Sequence, residues 1–193
     1  MLRLFVSAEF PVLVKKEIQG FIEAIREELG TVETNFRWTE EKSTHLTLKF
    51  LGAVPEHELS NIIESLEQVI SSLRPVQIKF DGLGTFGGKQ PRIVWLGISK
   101  GKEELVSLAD TVETVLNPLG YPRENRPFSP HLTLARLKQN APPSVPRQFH
   151  ELFPTFRAPK LPLSDILSIH LMQSHLLPQG SRYESVREFS FSR

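Results

Sequence analysis

His45-Leu46-Thr47-Leu48, inside the stretch HLTLKFLG (residues 45–52), returns unchanged at His131–Leu134 inside RPFSPHLTLARL (residues 126–137). The second copy lies a little under half the chain after the first, which marks an internal repeat. In a β-strand, successive side chains alternate between faces. His45 and Thr47 therefore share one face, with Leu46 and Leu48 on the other, and His131, Thr133, Leu132 and Leu134 repeat the arrangement. Each copy offers one imidazole and one hydroxyl, backed by two leucines that can anchor in a core. Two such faces brought together would surround one small anion with two proton-transfer groups and two hydrogen-bond donors.

Working outward, Leu4, Val6 and Ala8 alternate with Phe5, Ser7 and Glu9, which predicts a first strand. Pro11 opens a helix carried by Val14, Ile18, Phe21, Ile22, Ile25 and Leu29, and Gly30 closes it. Phe36–Trp38 and His45–Leu51 read as strands. A second helix from Pro55 presents Leu59, Ile62, Ile63, Leu66 and Ile70. Val76–Phe80 and Ile93–Ile98 read as strands separated by Gly82, Gly84, Gly87 and Gly88. A helix over about 102–116 precedes the second motif strand, His131–Leu137. The proline cluster 141–146 predicts a rigid loop, and Arg147–Leu152 a short helix. Ile166–Met172 and Tyr183–Phe191 are strands flanking a turn at Pro178-Gln179-Gly180-Ser181. The order predicts an α+β fold of two pseudo-symmetric lobes. Each has a mainly antiparallel sheet with flanking helices, the motifs face each other across a central cleft, and residues 1–193 form one bilobal domain.

The chain has 193 residues, a formal net charge of +1 and no cysteine. The missing cysteines exclude disulfides, zinc–thiolate sites and a cysteine nucleophile. No apolar run reaches the roughly 18 residues of a membrane span, and the N-terminus shows no signal peptide. Cytoplasmic residence and a monomeric state are the expectations. The small net charge gives no global field for nucleic acid, so any phosphate ligand must be held by local basic residues.

Histidine titrates nearest neutrality, so two of them can share a reaction, one as general base and one as general acid. Threonine hydroxyls can donate to non-bridging phosphate oxygens. The cation candidates are Lys49, Arg92, Arg126 and Arg136. Regular alternation puts Lys49 on the His45 face and Arg136 opposite His131, so a bulge would be needed to turn Arg136 inward. Metal binding by His45 and His131 is disfavoured, because neither motif has an adjacent carboxylate or third histidine. His57, His150, His170 and His175 read as structural or surface residues, with His170 the one that could line the cleft. Trp38, Phe50 and Trp95 read as core, although each could stack on a base.

At the paired motifs the chain resembles the two-histidine (2H) phosphoesterase superfamily, and within it the RNA 2′,3′-cyclic phosphodiesterases, also called 2′-5′ RNA ligases. PRIVWLG at Pro91–Gly97 and the strand Leu2–Glu9 carry the same resemblance. It implies a bilobal α+β fold, no metal or other cofactor, and hydrolysis of an RNA-terminal 2′,3′-cyclic phosphate to a 2′-phosphomonoester. The expected partners are RNA ends bearing that group, or nucleoside 2′,3′-cyclic monophosphates. By the resemblance, His45 donates a proton to the leaving 3′ oxygen and His131 activates water. Thr47 and Thr133 bind the phosphate, assisted by Arg136. Two alternatives stand beside hydrolysis. One is joining of tRNA halves through a 2′-5′ linkage, with a 5′-hydroxyl in place of water. The other is binding of nucleotides or RNA ends without turnover.

Overall fold

The computed structural model describes residues 1–88, 90–177 and 180–192. Nine strands form two antiparallel sheets among the described residues. The first, in the order β3-β1-β8-β9, is built from β1 (Leu2–Glu9), β3 (His45–Val54), β8 (Ser168–Leu177) and β9 (Gly180–Ser190). The second, in the order β2-β6-β5-β4-β7, is built from β2 (Phe36–Trp38), β4 (Val76–Phe86), β5 (Ile93–Lys100), β6 (His131–Leu137) and β7 (Ser164–Ile166). The motif strands β3 and β6 belong to different sheets and approach each other. The lobes are therefore real, but they are not the two halves of the sequence. Strands from both chain ends complete the sheet of β3, and β2 crosses over to join β6.

Among the described residues four α-helices contribute to the core: α1 (Val12–Leu29), α2 (Leu59–Ile70), α3 (Lys102–Leu116) and α4 (Val145–Leu152). The 3.6-residue spacing of Val14, Ile18, Ile22, Ile25 and Leu29 buries one stripe of α1. Gly30, at φ 53°, ends that helix by returning its N–H to the Glu27 carbonyl. Leu46, Leu48, Leu132 and Leu134 are all buried in one continuous core. At about 1.5–3 kcal/mol each, these four side chains hold the motif strands in place. No helix among the described residues is long and apolar enough to cross a membrane.

Three boundaries differ from the sequence reading. A short 3₁₀ turn, Glu56–Glu58, separates Pro55 from α2. The glycine-rich segment expected to be a loop is strand, since β4 runs through Gly82 and Gly84 to Phe86. The strand expected over Ile166–Met172 is broken at Leu167, with β7 in one sheet and β8 in the other. Of the turn expected at 178–181, Pro178 and Gln179 lie outside the described residues.

The decisive local feature is a β-bulge that both motif strands share. Ser7 stands opposite Thr47 and Val6 opposite Lys49, so Leu48 is an extra residue in β3. In β6, Trp95 faces Thr133 and Val94 faces Ala135, so Leu134 is the extra residue there. Each bulge resets the alternation: Lys49 and Ala135 follow the leucines inward, and Phe50 and Arg136 emerge on the histidine side.

Candidate active site

The two histidines are held alike. His45 Nδ1 lies 2.8 Å from the Ser43 carbonyl and His131 Nδ1 lies 2.7 Å from the Ser129 carbonyl. A carbonyl oxygen can only accept, so both Nδ1 atoms carry the proton and donate. Each Nε2 is thereby left for chemistry, as a lone pair in the neutral ring or as N–H in the imidazolium. The Ser-x-His spacing, Ser43 to His45 and Ser129 to His131, builds this anchor twice.

Aromatic rings wall both imidazoles. Phe5 and Tyr183 lie 5.0 and 5.1 Å from the His45 ring, centroid to centroid. Phe86 and Trp95 lie 4.9 and 6.3 Å from the His131 ring. Burial among these rings pushes both histidines below their ordinary value of 6.5. The Glu9 carboxylate and the Ser43 carbonyl oppose that shift at His45, while Lys15 and Arg136 add to it. At His131 the Ser129 carbonyl opposes it and Arg136 adds to it. The charge of Arg136 thus lowers both imidazoles.

The sequence-derived cations separate. Arg136, expected on the wrong face, is brought in by the bulge at Leu134. Lys49, expected beside His45, is turned away by the bulge at Leu48. It is 2% exposed, with Nζ 2.7 Å from Glu113 Oε2 and 2.8 Å from the Pro122 carbonyl. It is a core anchor for the segment that leads to the second motif, not a phosphate ligand. Arg92 lies just before β5, its backbone bonded to Phe86 and Leu137, and Arg126 is exposed in the loop before β6. Neither is among the charges that shift the two histidines.

The expected core aromatics also separate. Trp38 packs on the core, donating Nε1–H to the Glu33 carbonyl at 3.2 Å. Phe50 is 61% exposed on the His45 side, and Trp95 lies on the His131 side. The indole of Trp95 spreads over Gly84, where a Cβ would fall 1.9 Å from Cζ2.

Two residues beside the motif escaped the sequence reading, Ser7 and Glu9, while His170 is the histidine it singles out as able to line the cleft. Glu9 faces His45 in register, and Ser7 faces Thr47. Ser7 donates to Glu9 Oε1 and Lys15 to Glu9 Oε2, at 3.1 and 2.6 Å. His170 stands opposite Ser7, on the same sheet face as His45, with Nδ1 2.9 Å from Ser185 Oγ. The alternation of Phe5, Ser7 and Glu9 was visible in the sequence, but the pairing of β1 with β3 was not. Among the described residues, no three His, Asp or Glu side chains converge as a metal cluster.

Comparison with known proteins fits this geometry. The profile of the 2′-5′ RNA ligase superfamily matches residues 14–174. A relative from Aquifex aeolicus named RNA 2′,3′-cyclic phosphodiesterase is 31% identical over 187 residues, covering 95% of this chain and 96% of the relative. One of the same name from Archaeoglobus fulgidus is 32% identical over 189 residues, covering 97% and 99%. A crystal structure of a Thermus thermophilus protein superposes with a TM-score of 0.76 at 25% identity, covering 97% of each chain. E. coli LigT, crystallised with 3′-AMP, shares the fold with a TM-score of 0.73 at 20% identity, covering 100% and 99%.

Proposed function

The chain belongs to the 2′-5′ RNA ligase superfamily, and from that premise we propose that it hydrolyses RNA-terminal 2′,3′-cyclic phosphate to a 2′-phosphomonoester. The observation that carries this reading is the pair of Nδ1-anchored histidines, each with a threonine on its own face, around the charge of Arg136. Phosphoryl transfer needs positioning and charge balance more than covalent help, and these groups supply both.

In the mechanism, the cyclic phosphate sits between the motif strands. Thr47 and Thr133 donate their hydroxyls to its non-bridging oxygens, and Arg136 balances the charge that builds on them. His131 Nε2 takes a proton from water as the water oxygen bonds to phosphorus. His45 Nε2–H gives its proton to the departing 3′ oxygen. The products are a 3′-hydroxyl and a 2′-phosphate, and the two imidazoles exchange protons with solvent to reset. At His45 the Glu9 carboxylate partly offsets the lowering by burial, an offset that His131 lacks, which supports giving the acid role to His45.

We read residues 1–193 as one bilobal domain, since strands from both chain ends join one sheet over a shared core. One chain carries both motifs, so the site needs no second copy. A cysteine-free chain acting on RNA suits a cytoplasmic setting.

The test is incubation with nucleoside 2′,3′-cyclic monophosphates in EDTA, followed by identification of the product isomer. Exclusive 2′-phosphate is expected. A 3′-phosphate product would reverse the leaving-group assignment. No product, here or from a short RNA ending in the cyclic phosphate, would overturn hydrolysis.

A further inference from the structure

Resting on the hydrolytic reading, we propose that Arg37 forms a second anion site beside Arg136. This site would hold the phosphodiester that links the terminal nucleotide to the one before it, so that the protein prefers oligonucleotide ends to free cyclic mononucleotides. Arg37 and Arg136 stand directly opposite each other in the β2–β6 ladder, which places both on one face. That face is the cleft side. Phe36 is buried against Phe149, and Trp38 packs on the core beside Phe36, so Arg37 between them points the other way.

Like charges directly opposite on neighbouring strands repel and destabilise a sheet. Among the described residues neither arginine has an acidic partner within ion-pair distance, although nine ion pairs form elsewhere. The pair is also held firmly for a three-residue edge strand. Thr39 donates its N–H to the Leu134 carbonyl and its Oγ1–H to the Thr133 carbonyl, at 2.9 and 2.8 Å. At the other end, Lys138 N–H reaches the Asn35 carbonyl at 2.9 Å. Two uncompensated guanidinium groups carried side by side on a firmly held backbone form a site for an oligoanion. Arg136 acts on both catalytic imidazoles and serves the reacting phosphate. Arg37 lies one strand further out, about 5 Å away at the backbone, where the neighbouring phosphate of an RNA end would fall.

The test compares uridylyl-uridine 2′,3′-cyclic phosphate, which has one internal phosphodiester, with uridine 2′,3′-cyclic monophosphate, which has none. For Arg37→Gln the dinucleotide-to-mononucleotide ratio of kcat/KM is expected to fall about ten-fold, through KM, with partial retention in Arg37→Lys. The slope of log KM against log salt for the dinucleotide should become shallower by about 0.7. Arg37→Gln should melt no lower than wild type at low salt, because repulsion is relieved. An unchanged ratio would overturn the proposal and leave Arg37 a solvated charge. Equal losses on both substrates would also overturn it, placing Arg37 at the reacting phosphate or in the fold. Dissociation constants of both compounds for wild type and Arg37→Gln give the same comparison without turnover. Protein that bound but did not hydrolyse would therefore sink the hydrolytic reading alone.

Discussion

Glu9 stands directly across the strand pair from His45, whereas the residue across from His131 is Gly97. Gly97 admits no side chain: a Cβ there would sit 2.6 Å from the Asp81 carbonyl oxygen, where a bulge in β4 presses against β5. The duplicated motif thus has a carboxylate on one side only, and this breaks the symmetry between the two imidazoles.

That asymmetry sets an expectation for the pH–rate profile. Removing the carboxylate in Glu9→Gln leaves Lys15 unopposed, and both changes lower the pKa of His45. The limb governed by His45 should move to lower pH while the other limb stays. Lys15→Met should move the same limb to higher pH. Profiles of kcat/KM for the three proteins check this, and movement of both limbs together would sink it.

Arg136 has a different signature. Its charge lowers both histidines, so Arg136→Gln should raise both and carry both limbs to higher pH. Loss of the cation from the developing phosphorane charge should also cost about a hundred-fold in kcat. A shift confined to one limb would mean that Arg136 serves a single imidazole.

Burial of the imidazoles has a stability consequence. Both folded values lie below the unfolded value of 6.5, so across that window the unfolded chain binds more protons. Stability is therefore complete above about pH 6.5 and falls as pH drops through the folded values. Melting temperature should decline as pH falls below about 6.5, and less steeply in a His45→Asn/His131→Asn double variant. Equal slopes would locate the loss elsewhere.

The Lys49–Glu113 pair is a buried anchor, and breaking it from one side leaves a charge stranded. Lys49→Met should cost about 3–5 kcal/mol in urea unfolding, and Lys49→Met/Glu113→Leu should recover most of that. A neutral single variant would show that water reaches the pair.

Gly84 is the bed on which Trp95 lies. Gly84→Ala should lift the indole, change the near-ultraviolet dichroism and slow turnover by disturbing the wall beside His131. An intact tryptophan signal with full activity would mean that the strand yields instead. The double variant Gly84→Ala/Trp95→Leu should regain stability but not rate.

Alternation and helical spacing were enough to read most elements and the two His–Thr faces. Local pattern failed where register decides. The bulges at Leu48 and Leu134 add one residue each, and no composition signal marks them, so Lys49, Phe50 and Arg136 were each expected on the wrong face. Gly82 and Gly84 looked like turn residues because their service to Trp95 and Gly97 lies on neighbouring strands. Glu9 and Arg37 matter through partners across a ladder, and single-chain periodicity contains no ladder.

The matched bulges also give the cleft a heading. Each strand opens with the same four residues, and after the extra leucine the copies diverge on the exposed side, to an aromatic ring at Phe50 and a cation at Arg136. The shared opening sets a histidine and a threonine on the same face of each strand. The diverged ends set an exposed aromatic ring beside one histidine and a cation beside the other, so a repeated motif ends in a groove whose two sides are chemically unlike.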